Sequence, residues 1–201
     1  MATTQATICN LALAKISAKR IVSINDETNE ARWCRVHYEQ TRDEVLRAHP
    51  WNFASDRATL SEVLPVPAFG WAHKFALPSD FLRLLQLNDV ADDEGVKSYE
   101  IEKGGLLLTD EEIAQIRYTA RVTDESKYDP LFIEAFSTKL ASEIARPITG
   151  GTNDGQTLLA RYENVILPRA RRTDANETRP RQRLNFLESN LVRSRFSSDV
   201  G

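Results

Sequence analysis

Cysteine is scarce: Cys9 and Cys34 are the only two in 201 residues, too few for a disulfide framework in a chain this long. Both are expected as reduced, small apolar residues in helical segments. Long apolar runs are missing too. None approaches the roughly 18 residues of a membrane span, and residues 1–10 lack the basic and apolar stretches of a secretion signal. These absences set the expectation of a protein made and kept in a cytoplasm, with no membrane partner. Histidine is limited to His37, His49 and His73, which leaves few imidazoles for acid–base work.

What is present is ordinary for a globular chain, with 41% hydrophobic and 27% charged residues, and the length suits one domain or one domain with an insertion. The net charge of −3 conceals an asymmetry. Residues 1–160 carry 17 basic and 24 acidic side chains, whereas 161–201 carry 9 and 5, and all nine are arginines. Arginine presents a rigid fork of donors to carboxylates and phosphates, so the bias suggests protein or nucleic-acid contacts.

Apolar periodicity predicts a first helix over 7–20, carrying Ile8, Leu11, Ala12 and Ile16. A second is predicted over about 27–48, with Ala31, Cys34, Tyr38, Thr41 and Val45 at steps of three and four, ending at His49-Pro50. From 51 to 128 short strand-like stretches replace this period, at 52–62, 73–77, 81–87, 99–101, 106–109 and 113–122. Lys103-Gly104-Gly105 between two of them is a hairpin signal, because paired glycines supply positive φ. The acidic segment 89–94 reads as a solvated loop. Asp129-Pro130 is an N-cap followed by proline at the first helical position. It opens a helix with Phe132, Phe136, Leu140 and Ile144 at fourfold spacing, stopped by Arg146-Pro147 and Gly150-Gly151. A fourth helix begins near Asn153, buries Leu158, Leu159, Tyr162 and Ile166, and is expected to kink or end at Pro168. Residues 173–201 turn polar and arginine-rich, yet keep Leu184, Leu187 and Leu191 at helical steps, together with Phe186 and Phe196. Such a segment is expected to order on a partner.

No stretch carries the signature of an active site. Thr149-Gly150-Gly151-Thr152-Asn153-Asp154-Gly155 fits neither a Walker loop nor a dinucleotide fingerprint and reads as an interhelical turn. Cys34 and His37 share a helix face that Cys9 could approach, but no second ligand pair with zinc spacing exists. Asp89, Asp92, Asp93 and Glu94 lack the spacing of a calcium loop. None of the three histidines lies in a nucleophile motif, and His49 reads as a helix-ending residue. The expectation is no catalytic residue, no cofactor and no metal. Arg169, Arg171, Arg172, Arg179, Arg181, Arg183, Arg193 and Arg195 could touch phosphates. A sequence pI near 5.7 is not the usual footprint of a dedicated DNA-binding domain.

Several stretches together resemble one family: Ile8-Cys9-Asn10-Leu11-Ala12-Leu13, Arg42-Asp43-Glu44-Val45-Leu46-Arg47, Pro50-Trp51-Asn52-Phe53-Ala54, Trp71, and Phe75-Ala76-Leu77-Pro78-Ser79-Asp80-Phe81-Leu82-Arg83. Over about residues 5–165 the chain resembles the tail tubular protein A family, the head-to-tail adaptor of short-tailed bacteriophages. The resemblance implies a virion protein without catalysis, assembled in the host cytoplasm into a dodecameric ring between the portal protein and the tail nozzle protein. Tail fibres are further partners, and DNA passes through the centre without sequence-specific binding. The fold expected is α+β: an antiparallel helical bundle from 1–50 and 129–172, a β-rich insertion at 51–128, and an extended docking tail at 173–201. Within that frame Leu184, Phe186, Leu187, Leu191 and Phe196 are candidates to fill apolar grooves of the portal, with Arg193 and Arg195 pairing its carboxylates. Trp51 and Phe53 are candidate anchors of the junction between bundle and insertion. The acidic body suits a DNA conduit, because a wall that repels phosphate lets DNA slide. The competing reading is a DNA-interacting protein that uses the arginine-rich C-terminal segment as a phosphate-binding arm.

Overall fold

A computed structural model of the chain describes residues 3–88, 90–91, 98–151 and 153–177. Thr4 opens the first helix, α1 (Gln5–Lys15), its hydroxyl accepting from the Thr7 amide. The helix ends five residues before the expected limit, because Ser17 adopts a left-handed φ of 55° and turns the chain back. Asn10 fixes that return: its side chain accepts from the Ile21 amide and donates to the Ile21 carbonyl, both at 2.9 Å. Ile21 is thereby buried among apolar residues of α1 and its neighbours.

Thr28 caps α2 (Asn29–Ala48) through the Ala31 amide, and Asp129 caps α3 (Pro130–Thr149) through the Leu131 amide at 2.7 Å. In each case a short side-chain oxygen satisfies one of the donors that a helix start leaves free. The α3 helix runs through Pro147 instead of stopping there. Proline in the last turn removes only one carbonyl's partner, and the stop comes at Gly150, whose φ of 73° closes the helix with its amide on the Arg146 carbonyl.

The helix likewise does not end at Pro168. After α4 (Asn153–Arg161) the turn widens over Tyr162–Ile166, where the Leu167 amide bonds the Tyr162 carbonyl five residues back. The helix then continues as α5 (Leu167–Glu177). A wide turn just before a proline re-routes the hydrogen bonds that the ring would otherwise break. The segment expected to begin a solvated tail at Thr173 therefore starts as helix, and its residues 173–177 belong to α5. Leu184, Phe186, Leu187, Leu191, Arg193, Arg195 and Phe196 lie outside the described residues.

Helices α1, α2 and α3 share one apolar core, with Ile8, Leu13, Tyr38, Phe132, Phe136, Leu140 and Ile144 essentially excluded from solvent. The Tyr38 and Phe136 rings meet edge to face at 4.9 Å. Helix α4 packs on α3, and Gly155 makes the approach possible. A Cβ there would sit 3.0 Å from the Ser142 carbonyl oxygen and 3.6 Å from Ala145 Cβ.

Among the described residues, seven strands lie between α2 and α3: β1 (Ser55–Thr59), β2 (His73–Ala76), β3 (Phe81–Leu87), β4 (Val90–Ala91), β5 (Tyr99–Glu102), β6 (Leu106–Thr109) and β7 (Gln115–Ala120). They form two antiparallel sheets, β1-β7-β3-β4 and β2-β6-β5, so the class is α+β. The predicted hairpin is β5–β6, turning at Gly104 (φ 83°) and Gly105 (φ 71°). After β1 the chain crosses between sheets, as the Val63 amide bonds the Lys74 carbonyl and the Ala76 amide bonds the Ser61 carbonyl. Leu60, Phe75, Leu84, Leu107, Ile116 and Tyr118 form a second core.

The structure departs from one expected strand and from one expected loop. The stretch 52–62 begins with a 3-10 turn, Asn52–Ala54. Trp51 and Ala54 are both buried, and Phe53 packs on the same cluster. An alternating strand could not turn three side chains so closely spaced to one side. Within the acidic segment 89–94, Val90 and Ala91 pair with β3 as a short edge strand; its other members lie outside the described residues.

Candidate functional site

The end of α2 leads into the strands through Ala48-His49-Pro50-Trp51-Asn52-Phe53, and here the structure concentrates aromatic and polar contacts. Trp51 is 2% exposed. Its indole N–H donates to the Val45 carbonyl at 2.9 Å, a group in the last turn of α2. The Arg171 guanidinium donates to the Ala48 carbonyl at 3.2 Å, so two carbonyls at the end of the helix are satisfied from outside it. The Trp51 ring meets Phe132 edge to face at 5.2 Å, and Phe53 meets Phe132 at 5.1 Å and Tyr128 at 5.8 Å. Both predicted junction residues thus sit in the helical core at the first turn of chain leading to β1.

His49 ends α2 as expected, and its Nε2 lies 2.8 Å from Asp174 Oδ2. Burial pushes its pKa below the ordinary histidine value; Asp174 opposes the shift, while Arg171 and Arg83 reinforce it. The resulting neutral imidazole donates its Nε2 hydrogen to Asp174, tying α5 to the end of α2. Further along α2, the Arg47 guanidinium donates to the Leu82 carbonyl, and Asp43 accepts from Arg42 at 2.8 Å and Arg121 at 2.7 Å. Two side chains of one helix, Arg47 and Asp43, therefore hold the start of β3 and the residue that follows β7, with Arg42 supporting Asp43.

The other chemically suggestive groups are closed in the same way. Cys9 and Cys34 come together as the sequence allowed, but both are fully buried, and their mutual hydrogen bond together with burial pushes the Cys9 thiol up. His37 stacks on Trp33. Among the described residues no group of three or more His, Cys, Asp or Glu side chains could hold a metal ion. Lys15 Nζ lies 3.1 Å from Ser137 Oγ and burial lowers its pKa, a serine–lysine pairing that would suggest a nucleophile. Ser137 is fully buried, so no substrate can reach it. Lys139 is enclosed between Glu143 at 2.8 Å and Glu44 at 3.3 Å.

Between β1 and β2 lies a loop with several exposed apolar side chains. Leu64-Pro65-Val66-Pro67-Ala68-Phe69-Gly70-Trp71 leaves Phe69 89% and Leu64 76% exposed. Pro65 and Pro67 have no amide hydrogen to add to a sheet edge, and Gly70 turns at φ 84°. The loop is nevertheless fixed at its base by the Val63–Lys74 bond, by the Ala72 amide on Asp110 Oδ1 at 3.0 Å, and by Trp71 Nε1 on Glu100 Oε2 at 3.1 Å. Beside it lies an open groove of about 510 Å³ lined by Val66, Phe69, Trp71, Leu106 and the stems of Lys74 and Glu102. The available signal was an apolar run broken by prolines, which suits a fixed loop and not a strand. Comparison of the chain with models of known protein families and with curated proteins finds no match.

Proposed function

We propose that the chain is a structural virion protein, a head-to-tail adaptor similar to tail tubular protein A, that forms a ring between a portal and a tail nozzle. In this reading the helices form an antiparallel bundle that meets the portal, and the strands form an insertion directed toward the nozzle. The observation that carries the reading is the loop around Phe69. It is an apolar surface on the strand-rich part, held rigidly at its base and distant in sequence from the C-terminal docking segment. Monomeric proteins rarely present large apolar side chains together in this way unless a partner covers them. A two-ended protein, with one docking surface on the strands and another after α5, is what an adaptor requires. Trp51 and Phe53 anchor the chain leading to β1 in the helical core, and the α2 contacts to Leu82 and Arg121 tie the helices to the strands, which supports it.

Light scattering on the purified chain, alone and then with the portal ring of its phage, tests the reading. The expected result is a stoichiometric ring assembled on the portal. Deleting residues 181–201 is expected to abolish portal binding and leave the chain folded, and Phe69→Ser is expected to weaken nozzle binding and spare the portal. The competing reading, a phosphate-binding C-terminal arm, loses part of its material because Arg171 is engaged on Ala48 and Arg169 lies 3.9 Å from Glu134. Absence of portal binding together with salt-sensitive DNA binding lost on deleting 181–201 would favour it.

A further inference from the structure

One face of the first sheet is buried at its Thr119 end and carries arginines open to solvent beyond it, with Arg57 and Arg83 exposed and Arg117 half-buried. Side chains alternate along a strand, so Ser55, Arg57 and Thr59 of β1 share a face with Gln115, Arg117 and Thr119 of β7; on β3, Arg83 pairs with Thr119 and Gln86 with Arg117, and the register shift between Leu84 and Gln86 brings both to that face. Arg57 stands directly opposite Arg117 in the register, with Gln86 on the other side of Arg117. Like charges directly opposite in antiparallel strands repel. None of the three arginines has a side-chain hydrogen bond or ion pair among the described residues, and no carboxylate of these three strands shares their face. Asp56 belongs to the opposite face, opposite Tyr118. Between the two facing arginines lies a shallow depression of about 240 Å³ bordered by Thr59, Gln86 and Gln115.

We infer that this face binds the phosphate backbone of duplex DNA, with Arg57, Arg117 and Arg83 as the cationic contacts and Gln86, Gln115 and Thr59 as neutral donors. Forked guanidinium groups with nearby amides and hydroxyls are the usual phosphate-contacting set. The face lacks what other partners need. It has no exposed apolar anchor of the kind that dominates protein interfaces, in contrast to the Phe69 loop. It also has no aromatic ring on which an unpaired base could stack, since Phe81 and Tyr118 pack against each other in the second core. Contacts limited to phosphates read no sequence and leave the duplex able to slide. The net negative charge of residues 1–160 is therefore unevenly distributed, with a small cationic face on an acidic body.

Three phosphate contacts predict a slope of about −2.7 in log affinity against log salt from this face, or about a 40-fold loss between 50 and 200 mM. The test is anisotropy of a fluorescent 20-base-pair duplex titrated with the full chain over that range, for two unrelated sequences. Arg57→Gln with Arg117→Gln is expected to reduce the steepness of the slope by about 2 for both sequences, while Arg57→Lys with Arg117→Lys retains it. The glutamine pair removes a like-charge contact, so its unfolding midpoint is expected to be no lower than that of the parent. The Lys pair provides a second measure if the Gln pair folds poorly. No duplex binding by the parent at 50 mM salt overturns the inference. So does an unchanged slope in the glutamine pair with a collapse in a chain carrying Arg181, Arg183, Arg193 and Arg195 as Gln, which assigns the contact to the C-terminal arm. Preference for a single strand of the same length also overturns it. Portal binding is a separate measurement, so failure here leaves the adaptor reading standing.

Discussion

Replacing Trp51 by alanine removes the side chain that joins the end of α2 to the first turn before β1. The ring is 2% exposed and lies against His49, Phe53 and Phe132 at centroid distances of 5.0, 6.3 and 5.2 Å. Truncating a buried tryptophan costs about 3–5 kcal/mol. The Val45 carbonyl also loses its indole donor, worth about 1–3 kcal/mol when an acceptor is left buried and unpaired, which places this site toward the upper end, about 4–5 kcal/mol. For a domain of this size that lowers the thermal midpoint by about 8–20 °C. Trp51→Phe keeps most of the ring contacts and loses the donor, so about 2 kcal/mol is expected. Trp71→Ala supplies the control: its indole bonds Glu100 at an exposed position, and a cost below about 1 kcal/mol is expected. Urea titration followed by far-ultraviolet circular dichroism, compared at constant slope, measures all three. A Trp51→Ala cost below about 2 kcal/mol, or one no larger than that of Trp71→Ala, would refute the assignment of Trp51 as the anchor.

The remaining predictions concern the polar contacts and the loop. Because burial holds the His49 pKa below its unfolded value of about 6.5, the folded protein binds fewer protons in the window between the two. Its contribution is present above about pH 6.5 and is lost as pH falls through the folded pKa. The thermal midpoint should therefore fall on acidification below that value, and His49→Gln should flatten the fall; identical profiles would remove His49 as the cause. Thr119 is 1% exposed and its hydroxyl has no hydrogen-bond partner, so Thr119→Val should stabilise by about 1 kcal/mol, since the same shape is kept and a buried unpaired group removed. A destabilisation of that size, measured by urea titration, would mean the hydroxyl is satisfied in solution. Phe69→Ser should change stability by less than about 0.5 kcal/mol despite the size of the side chain, and a large loss would show that the loop packs on the body.

Periodicity carried the helices because their burial is local to each helix. Phe132, Phe136, Leu140 and Ile144 mark one stripe, and all four are fully buried. Asp129-Pro130 placed the start of α3 to the residue, since a cap and its proline act within one turn. Pro147 and Pro168 do not end their helices, for the opposite reason. The cost of a helical proline depends on whether the freed carbonyl finds another arrangement, and the wide turn at Tyr162–Ile166 supplies one through packing that a linear pattern does not contain. Gly104-Gly105 was legible because its requirement for positive φ is intrinsic to the two residues.

The sequence by itself determined the α+β class, the Asp129 cap and the hairpin, because each follows from short-range sterics or from one apolar stripe. Tertiary structure alone decided the rest. It joined Asp174 to His49 across 125 residues, buried the Ser137 hydroxyl beside Lys15, and raised an apolar loop between fixed strand ends. It also set Arg57 opposite Arg117 through the register of β1 on β7. Sequence distance does not encode these pairings. They arise from which strand edges and helix faces meet, and a shift of one residue in that register would turn the arginine face inward and the second core outward.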